Sequence, residues 1–375
     1  WGKAGRQPDA FAGASQYGVI SGAGGKTALQ PISPGNAEVG PETSTELEFG
    51  FDLAMLNDRV AVELSWFDKR TEGALLGIAQ SPSVGFPGAF QRNVGRIDNW
   101  GWEASISNRI YESEALSFRL DLTASHVDNE IKELGDFPGT NNIRIGFPYP
   151  NTVRRQKVVS ATYDPNGMVV DLWGRRIAPS CDAGVKLGST SKHGLVPGGA
   201  TVPCKETSGK RMLAGPAFAT YVFSVNPRIG LFDNDLTVHV LVDAKYGRNE
   251  YDTQAGWGCF WQNCKPGRVH SDPVFVSLSR LAYENLGQYD TDFWKLREVG
   301  IQYALPDFML EMLGAERASL SVSGRNLGII WQRQPFTVGE TKSMDPEFGN
   351  PVRGVNAWFT APPTSSMTAT MRVSF

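Results

Sequence analysis

The chain has 375 residues, 41% of them hydrophobic and 20% charged, a balance that excludes bulk disorder and suits one large barrel or two ordinary domains. The formal net charge of -3 provides no polybasic field, so nucleic acid is not expected as a partner. No run of 18 apolar residues exists, which excludes a helical membrane span but not a membrane β-barrel, whose strands are half polar.

The chain begins WGKAGRQPDAF, without an initiator Met, a basic n-region or an apolar h-region, so no secretory signal is visible and the start reads as a truncation. A strand stub at Trp1 to Ala4 leads into a long connection at about Gly5 to Ser44. Within it SGAGGKT suggests a phosphate loop, but the required glycine five residues before the Gly-Lys pair is Ile20, so no nucleotide is implied. Strict alternation then starts: in Thr45 to Met55, Leu47, Phe49, Phe51, Leu53 and Met55 interleave with Glu46, Glu48, Gly50 and Asp52. A period of two means a strand with one apolar and one polar face.

Val60 to Trp66, Trp102 to Ile106 and Leu116 to Ser125 repeat the pattern, and Lys157 to Tyr163, Val169 to Trp173 and Ala217 to Ile229 carry it less regularly. Leu236 to Ala244, Val299 to Leu305 and Ala318 to Val322 follow. The last ten residues, SMTATMRVSF, set Met367, Ala369, Met371, Val373 and the terminal Phe375 against Ser366, Thr368, Thr370, Arg372 and Ser374. That makes eleven strands and the stub. Taken alone, the closing strand would also suit the edge of a soluble sandwich.

The connections separate these alternatives. Turns at Leu56 to Asp58, Tyr111 to Glu114, Asp164 to Gly167 and Leu231 to Asp235 are short and contain Asn, Asp, Gly, Ser or Pro. Long loops lie between them, at about Gly5 to Ser44, Leu76 to Ile97, Asp128 to Val153, Ile177 to Pro216, Arg248 to Asp292 and Leu327 to Ser365. Strict alternation of short and long is what a membrane barrel produces, with short periplasmic turns on one side and long extracellular loops on the other. One short-side connection differs: PDFMLEMLGAE, Pro306 to Glu316, spaces Phe308, Met309, Met312 and Leu313 as a short helix would. Trp66, Trp100, Trp102, Tyr163, Trp173, Tyr246, Trp294 and Tyr303 fall toward strand ends, where interfacial girdles sit.

Four cysteines fall as Cys181 with Cys204 and Cys259 with Cys264, without histidine near enough to suggest a metal site. Two local disulfides in an oxidising compartment are the favoured pairing, with other pairings, free thiols or a cysteine metal site open. The histidines His126, His193, His239 and His270 lie near no nucleophile elbow, so no catalytic residue, metal or cofactor is expected. His239 alternates as a lumen-facing residue. The candidate ligand contacts are aromatics in the long loops: Trp257, Phe260 and Trp261, then Trp331 and Phe336, then Trp358 and Phe359. Flat apolar rings can stack on sugars or peptide side chains, and can equally pack loop on loop.

The strings WGKAGRQPDAF, PETSTELEFGFDLAMLNDRVAVELSWFDKRT, NVGRIDNWGWEASI, FWKLREVGIQYALP, SLSVSGRNLGIIW and DPEFGN, in that order, resemble the barrel of SusC/RagA-type TonB-dependent outer-membrane transporters. The resemblance implies an all-β, antiparallel transmembrane barrel of 22 strands. Residues 1–375 would be the C-terminal portion of it, about 11 to 12 strands, with the plug and the TonB-contacting box absent from this sequence. It further implies a place in the cell outer membrane, active import of a bulky oligosaccharide or peptide, a SusD-like lipoprotein as lid, and coupling to the TonB complex through the missing N-terminal region. A siderophore or cobalamin receptor, a passive porin and a soluble carbohydrate-binding β-protein are the alternatives. Of the motif residues, Glu46, Glu48 and Asp52 should face the lumen. Arg325 and Asn326 could order the following loop, and Lys295, Arg297 and Glu298 could pair with acidic strand neighbours.

Overall fold

The structure, a computed structural model, describes residues 2–79, 81–155, 157–251, 253–261, 272–282, 285–286, 288–333, 345–347 and 363–375. In chain order, β1 (Gly2–Ala4) precedes a hairpin of β2 (Gln16–Ser21) and β3 (Thr27–Ser33), and then β4 (Thr43–Met55), β5 (Val60–Ala79), β6 (Ala89–Glu112) and β7 (Leu116–Glu133). Eight short strands follow: β8 (Asn151–Arg154), β9 (Val158–Tyr163), β10 (Val169–Val170), β11 (Arg176–Asp182), β12 (Val185–Lys186), β13 (Leu195–Val196), β14 (Thr201–Pro203) and β15 (Met212–Pro216). The last seven are β16 (Tyr221–Leu231), β17 (Leu236–Tyr246), β18 (Asn249–Tyr251), β19 (Gln288–Asp290), β20 (Phe293–Ala304), β21 (Arg317–Gln332) and β22 (Ser366–Ser374).

Ten strands form one antiparallel meander in the order β1-β4-β5-β6-β7-β16-β17-β20-β21-β22. From β4 onward each is long enough to cross a membrane, which takes roughly 9–11 tilted residues. Among the described residues β22 pairs only with β21, from Arg317↔Ser374 to Arg325↔Ser366. Phe375 follows it, exposed.

Two expected wall strands are not in the wall. Lys157 to Tyr163 and Val169 to Trp173 become β9 and β10, which pair with β11 in a separate small sheet. Their place is closed because β7 pairs directly with β16 over eleven consecutive positions, Leu116↔Leu231 to Tyr221↔His126, with Leu122 opposite Val225 and Phe118 opposite Ile229. Losing two strands, an even number, leaves the direction of every other strand unchanged. Asp128 to Val153, Asp164 to Gly167 and Ile177 to Pro216 thereby merge into one excursion on the long-connection side.

The expected loop at Leu76 to Ile97 is mostly strand. β5 and β6 run to 20 and 24 residues, and at ~3.3 Å per residue the longer reaches roughly 80 Å, well beyond a membrane. The strands continue there because Ala74, Leu76, Ile78, Val94 and Ile97 are buried against Ile131 near the end of β7 and Leu134, Phe137 and Ile143 of the next connection. At the kink in this hairpin Gly95 adopts φ 53°, and a Cβ there would lie 1.7 Å from the Glu133 carbonyl oxygen. Only glycine fits that position.

Two short turns share one device. Leu56, Asn57 and Asp58 close β4–β5, and Phe232, Asp233 and Asn234 close β16–β17, all six residues with positive φ. Asn and Asp tolerate that region better than other side chains. The helix Asp307–Leu313 occupies the β20–β21 connection as the spacing predicts, and ends at Gly314 in the left-handed conformation.

Candidate functional site

The wall has two unlike faces. On one, Leu47, Phe49, Phe51, Leu53 and Met55 are all exposed, as are Trp66, Ile106, Ile229, Ile301 and Met371. An aromatic row crosses this face: Phe49 stacks on Trp66, His126 on Tyr221, and Tyr246 on Trp331. A contiguous apolar face this wide needs an apolar solvent. The opposite face is polar. A hollow of about 760 Å³ on it is bordered by Glu48, Asp52, Glu63, Ser65, Glu103, Ser105, Thr123 and Ser125. Further along, His239 Nε2 lies 3.4 Å from Glu298 Oε1, and Arg325 Nε donates to the same carboxylate at 3.1 Å.

A densely charged part of the polar face lies at the long-connection end of β17 and β20. Pairing of β20 with both neighbours skips Arg297: Leu241 faces Glu298 while Val242 faces Leu296, and the β21 register shifts at the same place. Such a bulge bends the strand and re-aims a side chain. Lys295 and Arg297, two residues apart, address one spot, and past the bulge Glu298 shares their face. Lys295 Nζ donates to Asp345 Oδ2 at 2.6 Å and to Glu347 Oε2 at 3.3 Å. Arg297 Nε donates to Asp243 Oδ1 at 2.6 Å, and Arg297 also pairs with Glu347. Lys245 Nζ reaches Glu347 Oε1 at 2.9 Å, and Arg248 Nη1 the Pro346 carbonyl at 3.3 Å.

Four cations therefore hold the three-residue turn Asp345-Pro346-Glu347, itself closed by the Glu347 N–H donating to Asp345 Oδ1 at 3.0 Å. Burial alone would raise the Glu347 carboxyl, but hydrogen bonds from Arg297 and Lys245 outweigh it and bring its pKa down to about 2.

A second unit stands on the long connections. β9, β10, β11 and β14 form a small sheet, and the helix Pro273–Leu281, from the β18–β19 connection, lies on it. Asp272 caps that helix by accepting the Val274 N–H at 2.9 Å, with Pro273 in the first turn. Val276 packs with Val169 and Ile177, while Val274, Leu278 and Leu281 pack on Val158, Cys181 and Cys204. Cys181 and Cys204 form a disulfide within this core. Next to it the buried Asp182 carboxylate accepts the N–H groups of Gly184, Gly198 and Gly199 at 2.7–2.8 Å. Burial opposes its charge, yet these donors prevail and hold its pKa below the ordinary carboxylate value. Two connections distant in sequence thus fold as one cap.

The sequence-predicted residues land unevenly. Trp257 and Phe260 in the helix Thr253–Phe260 and Trp261 just after it close on one another, with centroids 5.2–6.3 Å apart, and Trp261 is exposed. Trp331 lies in β21 rather than a loop, opposite Trp294 on the apolar face. Tyr163 and Trp173 belong to the cap, where Arg175 stacks on both, and not to a girdle. Phe336, Trp358, Phe359 and Cys264 lie outside the described residues, as does the side chain of Cys259. Asn326 ties down the end of the last connection, donating to the Pro363 carbonyl at 2.7 Å while its own carbonyl accepts from Ser365 at 2.7 Å. Arg297 has the acidic strand neighbour expected, Asp243, but the partners of Lys295 come from the loop. Lys245 and Arg248 escaped sequence reasoning. Their signal was charge complementarity, with two short basic clusters on neighbouring strands and one acidic turn in a later loop. SGAGGKT is the tip of the β2–β3 hairpin, and among the described residues no group of His, Cys, Asp or Glu is arranged to hold a metal.

A meander of membrane-length strands, apolar on one face and charged on the other, defines a section of the wall of a large membrane β-barrel. The family model described as TonB dependent receptor-like, beta-barrel matches residues 1–238, and the chain belongs to that family. TonB-dependent receptor P39 of Formosa agariphila is 27% identical over 158 residues, covering 41% of this chain and 15% of that protein. TonB-dependent receptor P3 of the same organism is 22% identical over 309 residues, covering 76% of this chain and 29% of that protein. Among solved structures, the RagAB peptide importer in its closed-closed state matches with a TM-score of 0.69 at 14% identity, over 100% of this chain and 40% of that one. At that identity the likeness is one of fold. The chain thus spans well under half the length of these relatives.

Proposed function

We propose that residues 1–375 are part of the barrel domain of an outer-membrane, TonB-dependent importer of a bulky nutrient, with no covalent chemistry of their own. The observation that carries this is the two-faced wall, whose exposed apolar face suits lipid and whose charged face suits a hydrated or plug-filled lumen. The short-turn side is periplasmic and the cap extracellular, which agrees with a disulfide in an oxidising compartment. A SusD-like lipoprotein docks over the long connections, and the TonB complex couples through a region outside this chain. A peptide is the first substrate class to test, since the RagAB proteins of like fold are named peptide importers; an oligosaccharide is the second. Trp257, Phe260 and Trp261 are the aromatic contacts we assign to either.

The test is uptake by whole cells of a labelled peptide mixture and a labelled oligosaccharide mixture. Uptake of one of them that falls to background both on deletion of the full-length receptor and on loss of TonB supports import. Uptake that survives loss of TonB but not loss of the receptor indicates a passive porin instead.

A further inference from the structure

The Asp345-Pro346-Glu347 turn meets the wall about fifty residues from Lys295 in sequence, and each cation beneath it faces a carboxylate or carbonyl of the turn. Lys295 is only 1% exposed, and its described acidic partners are Asp345 and Glu347. A buried charge stripped of its partner is strongly unfavourable. Withdrawal of the turn would leave Lys295 without these counter-ions and Arg297 with Asp243 alone. The turn therefore leaves most readily in exchange for another anion of similar shape.

We propose that Lys245, Arg248, Lys295 and Arg297 form a carboxylate-binding site for an acidic peptide segment of Asp-x-Glu pattern, with the chain's own Asp345-Pro346-Glu347 as its resting occupant. The two carboxylates are held unequally, the Asp345 side chain by Lys295 and the Glu347 side chain by Lys245, Lys295 and Arg297. Arg248 contacts a backbone carbonyl, which distinguishes a peptide from a simple dicarboxylate. A neutral oligosaccharide offers none of these charges. The site is independent of the import proposal, because binding to purified receptor needs no energised membrane.

The test is calorimetric titration of N-acetyl-Asp-Pro-Glu-amide into the purified full-length receptor in detergent. The double variant D345N/E347Q should bind it at least tenfold more tightly than the unaltered protein, with E347Q intermediate, and N-acetyl-Asn-Pro-Gln-amide should bind none of them. Variants that keep the heat-modifiable gel mobility of a folded barrel and bind the acidic peptide no more tightly than the unaltered protein would overturn the proposal. So would equal binding of the neutral peptide. Without any substitution, a carbodiimide should join Glu347 to Lys245, and excess acidic peptide should lower the yield of that cross-link, read by mass spectrometry. An unchanged yield counts against exchange whether or not the variants fold.

Discussion

The wall and the cap place the same kinds of residue in opposite surroundings. Phe49 in β4 is 63% exposed, whereas Ile177 in β11 is fully buried. Both strands alternate, yet in the wall the apolar face looks away from the protein and in the cap it looks inward, onto the helix Pro273–Leu281 and a disulfide. Periodicity fixes which residues share a face and not which solvent that face meets. Strand length and pairing separate the two cases, since cap strands have two to seven residues and the wall strands from β4 onward nine or more.

The sharpest way to break this comparison is a charge on each face of one wall strand. Val225→Arg, in β16 between Leu122 and Val242 on the apolar face, should cost up to about 4 kcal/mol if it lies near the bilayer midplane. Ser224→Arg, one residue away on the polar face, should cost far less. The fraction of receptor with folded, heat-modifiable mobility reads both, and equal losses would mean that the faces are wrongly assigned.

Next in size is the cap. Removing the Cys181–Cys204 link with C181S/C204S should cost about 3 kcal/mol through the freed chain between them. The loss should be confined to the cap: proteolysis within residues 157–216 should quicken while the mobility of the wall stays unchanged.

A smaller effect is expected where the last connection meets the wall. Glu347 has its pKa depressed from 4.5 to about 2, so the released state binds more protons in that window and retention of the turn gains stability as pH rises. The contribution is full above about pH 4.5 and is lost as pH falls through about 2. Pepsin cleavage on either side of Asp345–Glu347, measured relative to an unfolded reference peptide at each pH, should therefore rise as pH drops from 4 to 2, and in E347Q that relative rise should disappear. Smallest of all, Trp261→Ala should change stability by no more than about 0.5 kcal/mol, because the ring is exposed. Any larger effect it has should appear in ligand binding alone.

Much of the wall was legible because lipid and lumen impose a strict period of two, so that β4, β7, β17 and β22 can be read off their residues. The helix Asp307–Leu313 and the tight turns followed from equally local signals. Local pattern failed where protein replaced lipid as the cover. β5 and β6 extend past the membrane because Leu76, Ile78 and Val94 are buried by residues of the 134–143 segment. β9 and β10 imitate wall strands. The charged site was half visible: Lys295 and Arg297 stood out, but their pairing with a turn fifty residues away leaves no periodic trace.

Every assignment above depends on lipid contact at one face of this sheet. The most direct measurement is a nitroxide scan of residues 48–53 in the full-length receptor reconstituted in bilayers, on a background in which Cys259 and Cys264 are replaced by serine. Oxygen accessibility should show a period of two, highest at positions 49, 51 and 53 and low at 48, 50 and 52. Maxima on the Glu48, Gly50 and Asp52 positions, or no period at all, would contradict it.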